Sequence, residues 1–441
     1  MAAIDPRRRR QAEGLLRYID AAPSPWHAAA VLGEWLETEG FICLNEAESW
    51  HLDAGGRYYL LRDDSSLIAF SIGQAPLEQA GFRIVGAHTD SPGLRLKPNA
   101  PHAADPLVRL GVEIYGSPIL ATWTDRDLSL AGRVALRCEP PAVCLVDFET
   151  PLLRLPNLAI HMNRKVNEDG LKLDKHKELP LLLGALQEEL PPSQQFRGLL
   201  AERLDCDPEA ILGWELNVYD TQKGAFWGAE QEFVASARLD NLASCHAAVS
   251  ALIATEENDA TCICALFDHE EVGSESFKGA AGALLQDCLV RIAAALGLDA
   301  AAQRRASAGS MLLSADMAHA YQPNFPQAYD EHHKVVVNGG PVIKTNANLR
   351  YTGDAFAEAL FIGWCEEAQV PWQRYVHRSD IPCGSTIGPL VSARLGLRSL
   401  DIGNPLWAMH SIRESAGVLD YAWMIQVLER FFACPRLPVS G

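Results

Sequence analysis

The chain has 441 residues, enough to build the hydrophobic cores of two or three domains. Apolar residues make up 48% and charged residues 21%, a composition that excludes disordered, collagen-like and coiled-coil chains. With 38 Lys and Arg against 56 Asp and Glu the net charge is −18, so we expect neither nucleic acid nor an anionic membrane as a partner.

The N-terminal sequence and the cysteines predict a cytoplasmic location. The arginines at 7–10 precede Gln, Ala, Glu and Gly rather than an apolar stretch, so we expect no Sec or twin-arginine signal. No apolar run approaches the roughly 20 residues that cross a bilayer. The 11 cysteines have no Cys-x-x-Cys spacing, which is typical of reduced thiols rather than of a disulfide or zinc-finger framework.

The first part of the chain predicts helices followed by short strands. Residues 8–40 have helical apolar spacing, with a break at the Pro-Ser-Pro of 23–25. From residue 57 the pattern changes to β-rich runs at 57–61, 66–70 and 82–86. The middle of the chain, residues 95–234, continues with many short strands separated by Pro and Gly, which predicts an inserted, mostly β domain.

The last part of the chain alternates helices and strands. The predicted order is helix 241–255, strand 261–267, helix 282–296, strand 311–315, strand 334–337, helix 353–370, strand 397–402 and helix 418–432. Such alternation predicts an α/β sheet with helices on both faces. We therefore expect a sheet-centred domain formed by residues 1–94 and 235–441, interrupted by the β-rich insertion 95–234.

Polar residues cluster where apolar β runs end, and ligands of open α/β sheets bind outside the carboxyl ends of the strands. His88 and Asp90 follow one run and, two apart in extended backbone, can face the same side. Asp90 can then orient His88 as a metal ligand. Taken alone, a His-x-Asp pair is more typical of a surface turn.

Three further clusters have the same placement, although each also has an ordinary structural interpretation. Asp240 opens a predicted helix, where Asp is a favoured N-cap. Glu270 and Glu271 follow an apolar run, and adjacent side chains diverge, so one carboxylate could bind a metal while its neighbour holds a water. The last cluster comprises Asp316, His319 and His410.

Together, two histidines and three carboxylates at strand exits form a nitrogen and oxygen ligand set for two divalent ions. Such ligands suit zinc, cobalt or manganese and disfavour copper(I) or iron–sulfur clusters. A two-metal site with a free glutamate beside it is typical of hydrolases. The residues leave open an aminopeptidase, a related deacylase or carboxypeptidase, and a metal-stabilised scaffold, although a scaffold needs no free carboxylate such as Glu270.

The motifs resemble those of the M18 aspartyl aminopeptidases, which are co-catalytic zinc enzymes. The matching segments are Gly86-Ala-His88-Thr-Asp90-Ser-Pro, Leu239-Asp240-Asn, Asp268-His-Glu270-Glu271-Val-Gly-Ser, Asp316-Met-Ala-His319-Ala and Met409-His410-Ser. Connecting segments that match are Ile160-His161-Met-Asn-Arg, Gly340-Pro-Val-Ile-Lys344 and Cys383-Gly-Ser-Thr-Ile-Gly-Pro. The resemblance extends from about residue 15 to residue 430.

The resemblance implies a role for each matching residue. The implied metal ligands are His88, Asp240, Glu271, Asp316 and His410, with Asp240 bridging two ions, most simply Zn²⁺. It further implies Glu270 as general base, Asp90 as the orienting carboxylate, His161 as an oxyanion donor from a neighbouring subunit, and His319 and Lys344 as substrate-pocket residues. The implied substrates are peptides with N-terminal Asp or Glu.

The resemblance also implies self-association into a dodecamer built from dimers, with the β-rich insertion in the contacts between subunits. Because the chain is strongly acidic, a preference for acidic substrates needs a local cation, since charges are screened over about 8 Å at physiological salt. Lys344, expected just after the strand 334–337 and a Gly-Gly break, is the candidate. One departure is Gln322, where animal relatives carry a second His.

Overall fold

The fold is known from a computed structural model that describes residues 4–187 and 190–438. Its N-terminal part confirms two helices followed by strands, with the helix break at the predicted prolines. The elements are α1 (Pro6–Ala21), α2 (Pro25–Thr38), β1 (Ile42–Cys43), β2 (Arg57–Arg62), β3 (Ser66–Ser71), α3 (Leu77–Ala80) and β4 (Phe82–His88). Asp5 and Ser24 cap the first two helices through their side chains, each with Pro in the first turn.

The middle of the chain is rich in β-structure. Its elements are β5 (Gly93–Ala104), β6 (Leu107–Tyr115), β7 (Leu128–Leu136), β8 (Ala142–Asp147), α4 (Val166–Asp169), β9 (Leu181–Ala185), α5 (Pro192–Leu204) and β10 (Ile211–Asp220). These strands form a six-stranded sheet in the order β8-β7-β10-β5-β6-β9. Phe196 and Leu200 of α5 pack into its core.

The C-terminal part contains most of the helices. Its elements are β11 (Ala225–Trp227), β12 (Phe233–Ser236), α6 (Leu239–Ala254), β13 (Thr261–Phe267), α7 (Leu284–Ala295), α8 (Ala300–Ala308), β14 (Met311–Ala315), β15 (Ala318–His319), β16 (Val342–Thr345), α9 (Ala355–Glu367), β17 (Gln373–Val376), α10 (Ile387–Leu395), β18 (Arg398–Gly403), β19 (Pro405–Trp407), β20 (Glu414–Gly417) and α11 (Val418–Phe432).

A nine-stranded sheet of the order β1-β2-β3-β13-β4-β14-β18-β16-β17 forms the centre of the molecule. Its neighbours β13, β4, β14 and β18 are parallel, so their carboxyl ends lie at one edge. Alternate residues enter opposite cores: Val85 packs with α6 and α11, whereas Ile84 packs with α7 and α10. The predicted α/β sheet with helices on both faces is confirmed.

The strands β11 and β12 do not join the six-stranded sheet. They pair with β20 in a five-stranded sheet of the order β11-β12-β20-β19-β15. The six-stranded sheet itself is built from strands between residues 93 and 220. The division of the chain into domains at 94/95 and 234/235 stays a prediction. No helix in the described ranges is long and apolar enough to cross a membrane.

The predicted strand 334–337 is wrong. Val336 is 51% exposed and its backbone N–H and carbonyl bond to the side chain of Gln373 instead of to a neighbouring strand. Its apolar run therefore forms a loop, because the side chain of Gln373, at the start of the edge strand β17, takes up the backbone groups in place of a strand ladder. Lys344 consequently lies inside a strand, β16, rather than just after one.

Candidate active site

The polar clusters predicted from the sequence meet at the carboxyl edge of the nine-stranded sheet. His88 ends β4, Glu270 and Glu271 follow β13, and Asp316 follows β14 directly. Two further side chains come from outside this edge: Asp240 from the start of α6, and His410 from the connection between β19 and β20. The common edge of the parallel strands brings His88, Glu270, Glu271 and Asp316 together. Packing of the other elements against the sheet places Asp240 and His410 beside them.

Three overlapping groups of side chains lie close enough together to hold a metal ion: two of them share Asp240, and the third is His88, Glu270 and Glu271. His88 Nε2 lies 3.6 Å from Asp240 Oδ1 and 3.5 Å from Asp316 Oδ1. His410 Nε2 lies 3.4 Å from the other oxygen, Asp240 Oδ2, and 3.4 Å from Glu271 Oε1. In each group the ligand atoms fall within 4.8 Å of one another. Asp240 thus faces His88 with its Oδ1 and His410 with its Oδ2.

The charges of the cluster fit divalent cations. Asp240 is 3% exposed, and its Oδ1 is a buried atom without a hydrogen-bond partner among the described residues. Burial and then the nearby carboxylates raise the pKa of Glu270 to about 8, against the lowering effect of His88. Burial lowers the pKa of His410, but Asp240 and Glu271 raise it to about 10. Both shifts favour the protonated forms of Glu270 and His410, because the surrounding carboxylates stabilise added positive charge.

The donor types also fit zinc. The cluster offers imidazole nitrogens and carboxylate oxygens, which are the ligands of catalytic zinc sites. These groups lie beside Glu270, whose Oε2 is 3.9 Å from His88 Nε2. Such an arrangement can hold two divalent ions with a carboxylate at their side, as two-metal hydrolases require.

Comparison with known proteins decides the family. The family described as "Aminopeptidase I zinc metalloprotease (M18)" matches residues 18–432. The chain belongs to the M18 family of zinc metallopeptidases. A relative from Ectopseudomonas mendocina, named "Probable M18 family aminopeptidase 2", is 46% identical over 431 residues, which are 97% of this chain and 99% of the relative. The M18 resemblance found in the sequence is thereby confirmed.

Solved structures agree with this assignment. A chain in a structure titled "Cryo-EM structure of the Ape4 and Nbr1 complex" superposes with a TM-score of 0.94 at 37% identity, covering 98% of this chain and 88% of that one. A structure titled as the S. cerevisiae mApe1 dodecamer matches with a TM-score of 0.82 at 26% identity, covering 96% of each chain. The chain is therefore an M18 metalloaminopeptidase by family and by fold.

In this M18 chain, Asp90 is hydrogen-bonded to the backbone of Glu270 and Glu271. It is fully buried, and its two carboxylate oxygens accept hydrogen bonds from the backbone N–H groups of Glu270 and Glu271, both at 3.1 Å. Tyr115 also donates its hydroxyl hydrogen to Asp90, at 2.7 Å. His88 Nδ1 lies 3.0 Å from the Asp90 carbonyl oxygen and 3.5 Å from its Oδ1. Asp90 thus contacts both glutamates and the histidine.

The sequence reasoning missed Glu414, which is 2% exposed beneath the cluster. Its carboxylate accepts hydrogen bonds from the backbone N–H of Asp240 at 3.0 Å and from that of His410 at 2.7 Å. Burial raises the pKa of Glu414 to about 8. In the printed sequence this residue sits in Arg-Glu-Ser, which is typical of a surface turn, so no local signal identifies it.

Lys344 and His319 lie on the Asp316 side of the cluster. Lys344 is 2% exposed, and its Nζ is 3.3 Å from Asp316 Oδ2 and 3.2 Å from the Met317 carbonyl oxygen. The ring of His319 makes an edge contact with that of Tyr375 and lies tilted against that of His377, with centroids 5.8 and 6.0 Å away. Burial and then Lys344 lower the pKa of His319 to about 4, so its ring is neutral.

His161 and Gln322 are not part of the cluster in this chain. His161 is exposed on a turn between β8 and β9 and takes no part in the contacts described above. Gln322 accepts a hydrogen bond from the backbone N–H of Asn324 at 2.8 Å and so closes its own turn.

Proposed function

We propose that this chain is a metal-dependent aspartyl aminopeptidase that releases N-terminal Asp or Glu from peptides. The observation that carries the proposal is the pair of ligand groups sharing Asp240, with Glu270 beside them. His88, Asp240 and Asp316 would hold one divalent ion, and Asp240, Glu271 and His410 the other. Two ions bound there, most simply Zn²⁺ and alternatively Co²⁺ or Mn²⁺, supply Lewis acidity that activates a water and polarises the peptide carbonyl.

The protein's own groups supply the proton chemistry in this proposal. Glu270 takes the proton of the attacking water and passes it to the leaving amine. Asp90 keeps Glu270 and Glu271 in place through their backbone N–H groups and orients His88. A panel of aminoacyl chromogenic substrates, measured with and without chelator, tests this function. Chelator-insensitive hydrolysis, or hydrolysis only of C-terminal or N-acyl substrates, would contradict it.

The acidic specificity is assigned to Lys344, with His319 lining the same pocket. An ammonium group has three donors, and two of those of Lys344 point at Asp316 and the Met317 carbonyl, which leaves one for a substrate carboxylate. Burial makes such a contact strong because little water competes for it. This supports a preference for N-terminal Asp or Glu despite the negative net charge.

We expect Lys344→Met to reduce the ratio of kcat/KM for aspartyl over alanyl substrates by roughly 10- to 150-fold. The loss corresponds to a charge-assisted hydrogen bond of about 1.5–3 kcal/mol. Because Lys344 also contacts Asp316, metal content must be measured alongside to separate specificity from ligand disorder. An unchanged ratio in a fully loaded variant would place the specificity elsewhere.

Self-association is part of the proposal, as a dodecamer built from dimers through the β-rich insertion 95–234. The turn that carries His161 exposes several apolar side chains: Leu158 at 69%, Ile160 at 48% and Met162 at 76%. Such a patch is typical of an interaction surface. The relative described as a dodecamer supports the same arrangement. In it, His161 would reach a neighbouring subunit's site and donate its N–H to the developing oxyanion.

We expect His161→Ala to lower kcat by about 10²–10³-fold while metal content and oligomer size stay unchanged, which is the typical effect of losing one oxyanion donor. His176→Ala is the matched control, since His176 is also exposed between β8 and β9. Mixing dissociated His161→Ala and Glu270→Gln subunits should restore activity, because some interfaces then pair an intact His with an intact base. Mixed assemblies that stay inactive would rule out donation between subunits.

We further propose a cytoplasmic location. All 11 cysteines are free in the structure, as expected for thiols kept reduced inside the cell. Five of them, at 245, 262, 264, 288 and 365, are buried in the hydrophobic cores and behave as small apolar residues.

A further inference from the structure

The loop that carries Glu270 and Glu271 is closed at its base by a buried ion pair. Asp268 precedes the two glutamates and Lys278 follows them, and Lys278 Nζ lies 2.8 Å from Asp268 Oδ2 with both side chains at most 3% exposed. Ser66 of β3 joins the same two residues: its Oγ accepts from the Asp268 N–H at 2.8 Å and donates to the Lys278 carbonyl at 2.9 Å. The segment 268–278 is therefore held at both ends.

Lys278 connects this loop to the turn between β2 and β3. Its Nζ lies 2.8 Å from Asp63 Oδ2 and donates to Ser65 Oγ at 2.8 Å. The Ser65 carbonyl accepts a hydrogen bond of 2.7 Å from Thr89, the neighbour of both His88 and Asp90. The turn thus contacts the two segments that bring His88 and the glutamates together.

Asp63 connects the turn to the six-stranded sheet. Its two carboxylate oxygens accept hydrogen bonds from Arg133 of β7, with distances of 2.8 and 2.9 Å, a bidentate geometry. Arg133 Nε donates in turn to Glu215 of β10 at 2.6 Å. Trp26 of α2 is 1% exposed and contacts both cations with its ring. The ring centroid is 4.7 Å from the Arg133 guanidinium carbon and 5.3 Å from Lys278 Nζ.

We infer that Asp268, Lys278, Asp63 and Arg133 form a positioning network that makes the placement of Glu270 and Glu271 depend on the docking of the six-stranded sheet. Hydrogen bonds run from Arg133 of β7 through Asp63 to Lys278, and the Lys278–Asp268 ion pair completes the route to the base of the segment 268–278. The four residues act through the loop and do not touch the reacting atoms. The inference rests on the proposed function for the role of Glu270.

The network matters for rate because the general base needs exact placement. Removing Arg133 leaves Asp63 with Lys278 as its remaining cation, whereas removing Lys278 leaves the fully buried Asp268 carboxylate without its cation, which is strongly unfavourable. A displacement of about 1 Å at a reacting group can cost roughly 10²-fold in rate. In the proposed assembly, contacts between subunits through the six-stranded sheet would reach the glutamates along this route.

Arg133→Met tests the network at its far end. We expect kcat to fall about 10- to 100-fold, with KM, metal content and oligomer size unchanged, and Arg133→Lys to recover part of the rate because it restores one contact to Asp63. Arg203→Met is the matched control, since Arg203 packs on the same sheet through exposed hydrogen bonds to Asp147 and Glu149. Equal kcat values for Arg133→Met and Arg203→Met would overturn the inference.

A double variant separates a connected network from independent stabilising contacts. If Lys278 and Arg133 act through Asp63, the double Met variant should lower kcat by little more than Lys278→Met alone. Effects that multiply would show independent action and overturn the inference. Should Lys278→Met fail to fold, Asp63→Asn takes its place, because it removes the charge and keeps the shape.

These outcomes are distinguishable from failure of the proposed function. Full activity of Glu270→Gln would overturn the role of Glu270, while the Arg133 series would still report on loop placement. Conversely, an Arg133→Met enzyme with wild-type kcat would overturn the network and leave the two-metal proposal intact.

Discussion

Glu270→Gln is expected to lower kcat by about 10²–10⁴-fold while the protein retains its metal ions. The amide keeps the shape of the side chain but cannot accept the proton of the attacking water. Glu270 stands next to Glu271, which is 3.4 Å from His410, whereas Glu270 Oε2 lies 3.9 Å from His88 Nε2. The two glutamates therefore have different surroundings. Substituting Glu270 should leave the metal ions bound.

Glu271→Gln is the matched control for this experiment. Because Glu271 belongs to the group of Asp240 and His410, its substitution should release metal, as elemental analysis of the purified protein would show. The pair of measurements, kcat and metal content, assigns the roles within the Glu-Glu sequence. Loss of metal from Glu270→Gln, or wild-type turnover in it, would mean that the two roles are assigned wrongly.

Asp240→Ala is expected to abolish activity and to empty or loosen both metal sites. Its two carboxylate oxygens face His88 and His410 separately, at 3.6 and 3.4 Å, so one side chain serves both ligand groups. Between two cations a shared carboxylate also offsets their mutual repulsion. Losing it should therefore cost more than losing a ligand of one site.

Asp316→Ala provides the comparison, since Asp316 belongs only to the group with His88 and Asp240. We expect elemental analysis to find one retained ion per subunit in Asp316→Ala and fewer in Asp240→Ala. Binding isotherms with Zn²⁺ would show the same difference as one weakened site against two. One tightly held ion in Asp240→Ala would argue against a bridging role for this carboxylate.

Some of the site could be predicted because parallel strands end at a common edge. His88, Glu270, Glu271 and Asp316 each follow an apolar β run, so the topology alone brings them close. The matching motifs then supplied the family, which the comparisons confirm. The sequence also placed Asp240 and His410 after apolar β runs, but they follow β12 and β19 of the five-stranded sheet, so only tertiary packing brings them to that edge.

The strand predicted at 334–337 shows where pattern reasoning fails. A run of valines satisfies β propensity, but a strand also needs a neighbour for its backbone groups, and here Gln373 supplies those bonds from its side chain. The true strand, β16, lies past the glycines and carries Lys344 into a buried position. Lys344 is a candidate for substrate recognition because it is buried, and its position in the sequence alone does not show this.

The α/β alternation, the β-rich middle and the chemical types of the site residues could be predicted from the sequence, because they follow from local periodicity and from side-chain chemistry. Tertiary structure alone decided that Glu414 supports Asp240 and His410, and that Lys278 meets Asp63 across 215 positions of the chain. Each of these carboxylates and ammonium groups resembles a surface charge when read locally. They become structural only when folding removes water from around them, since a buried charge must then find its partner within the protein.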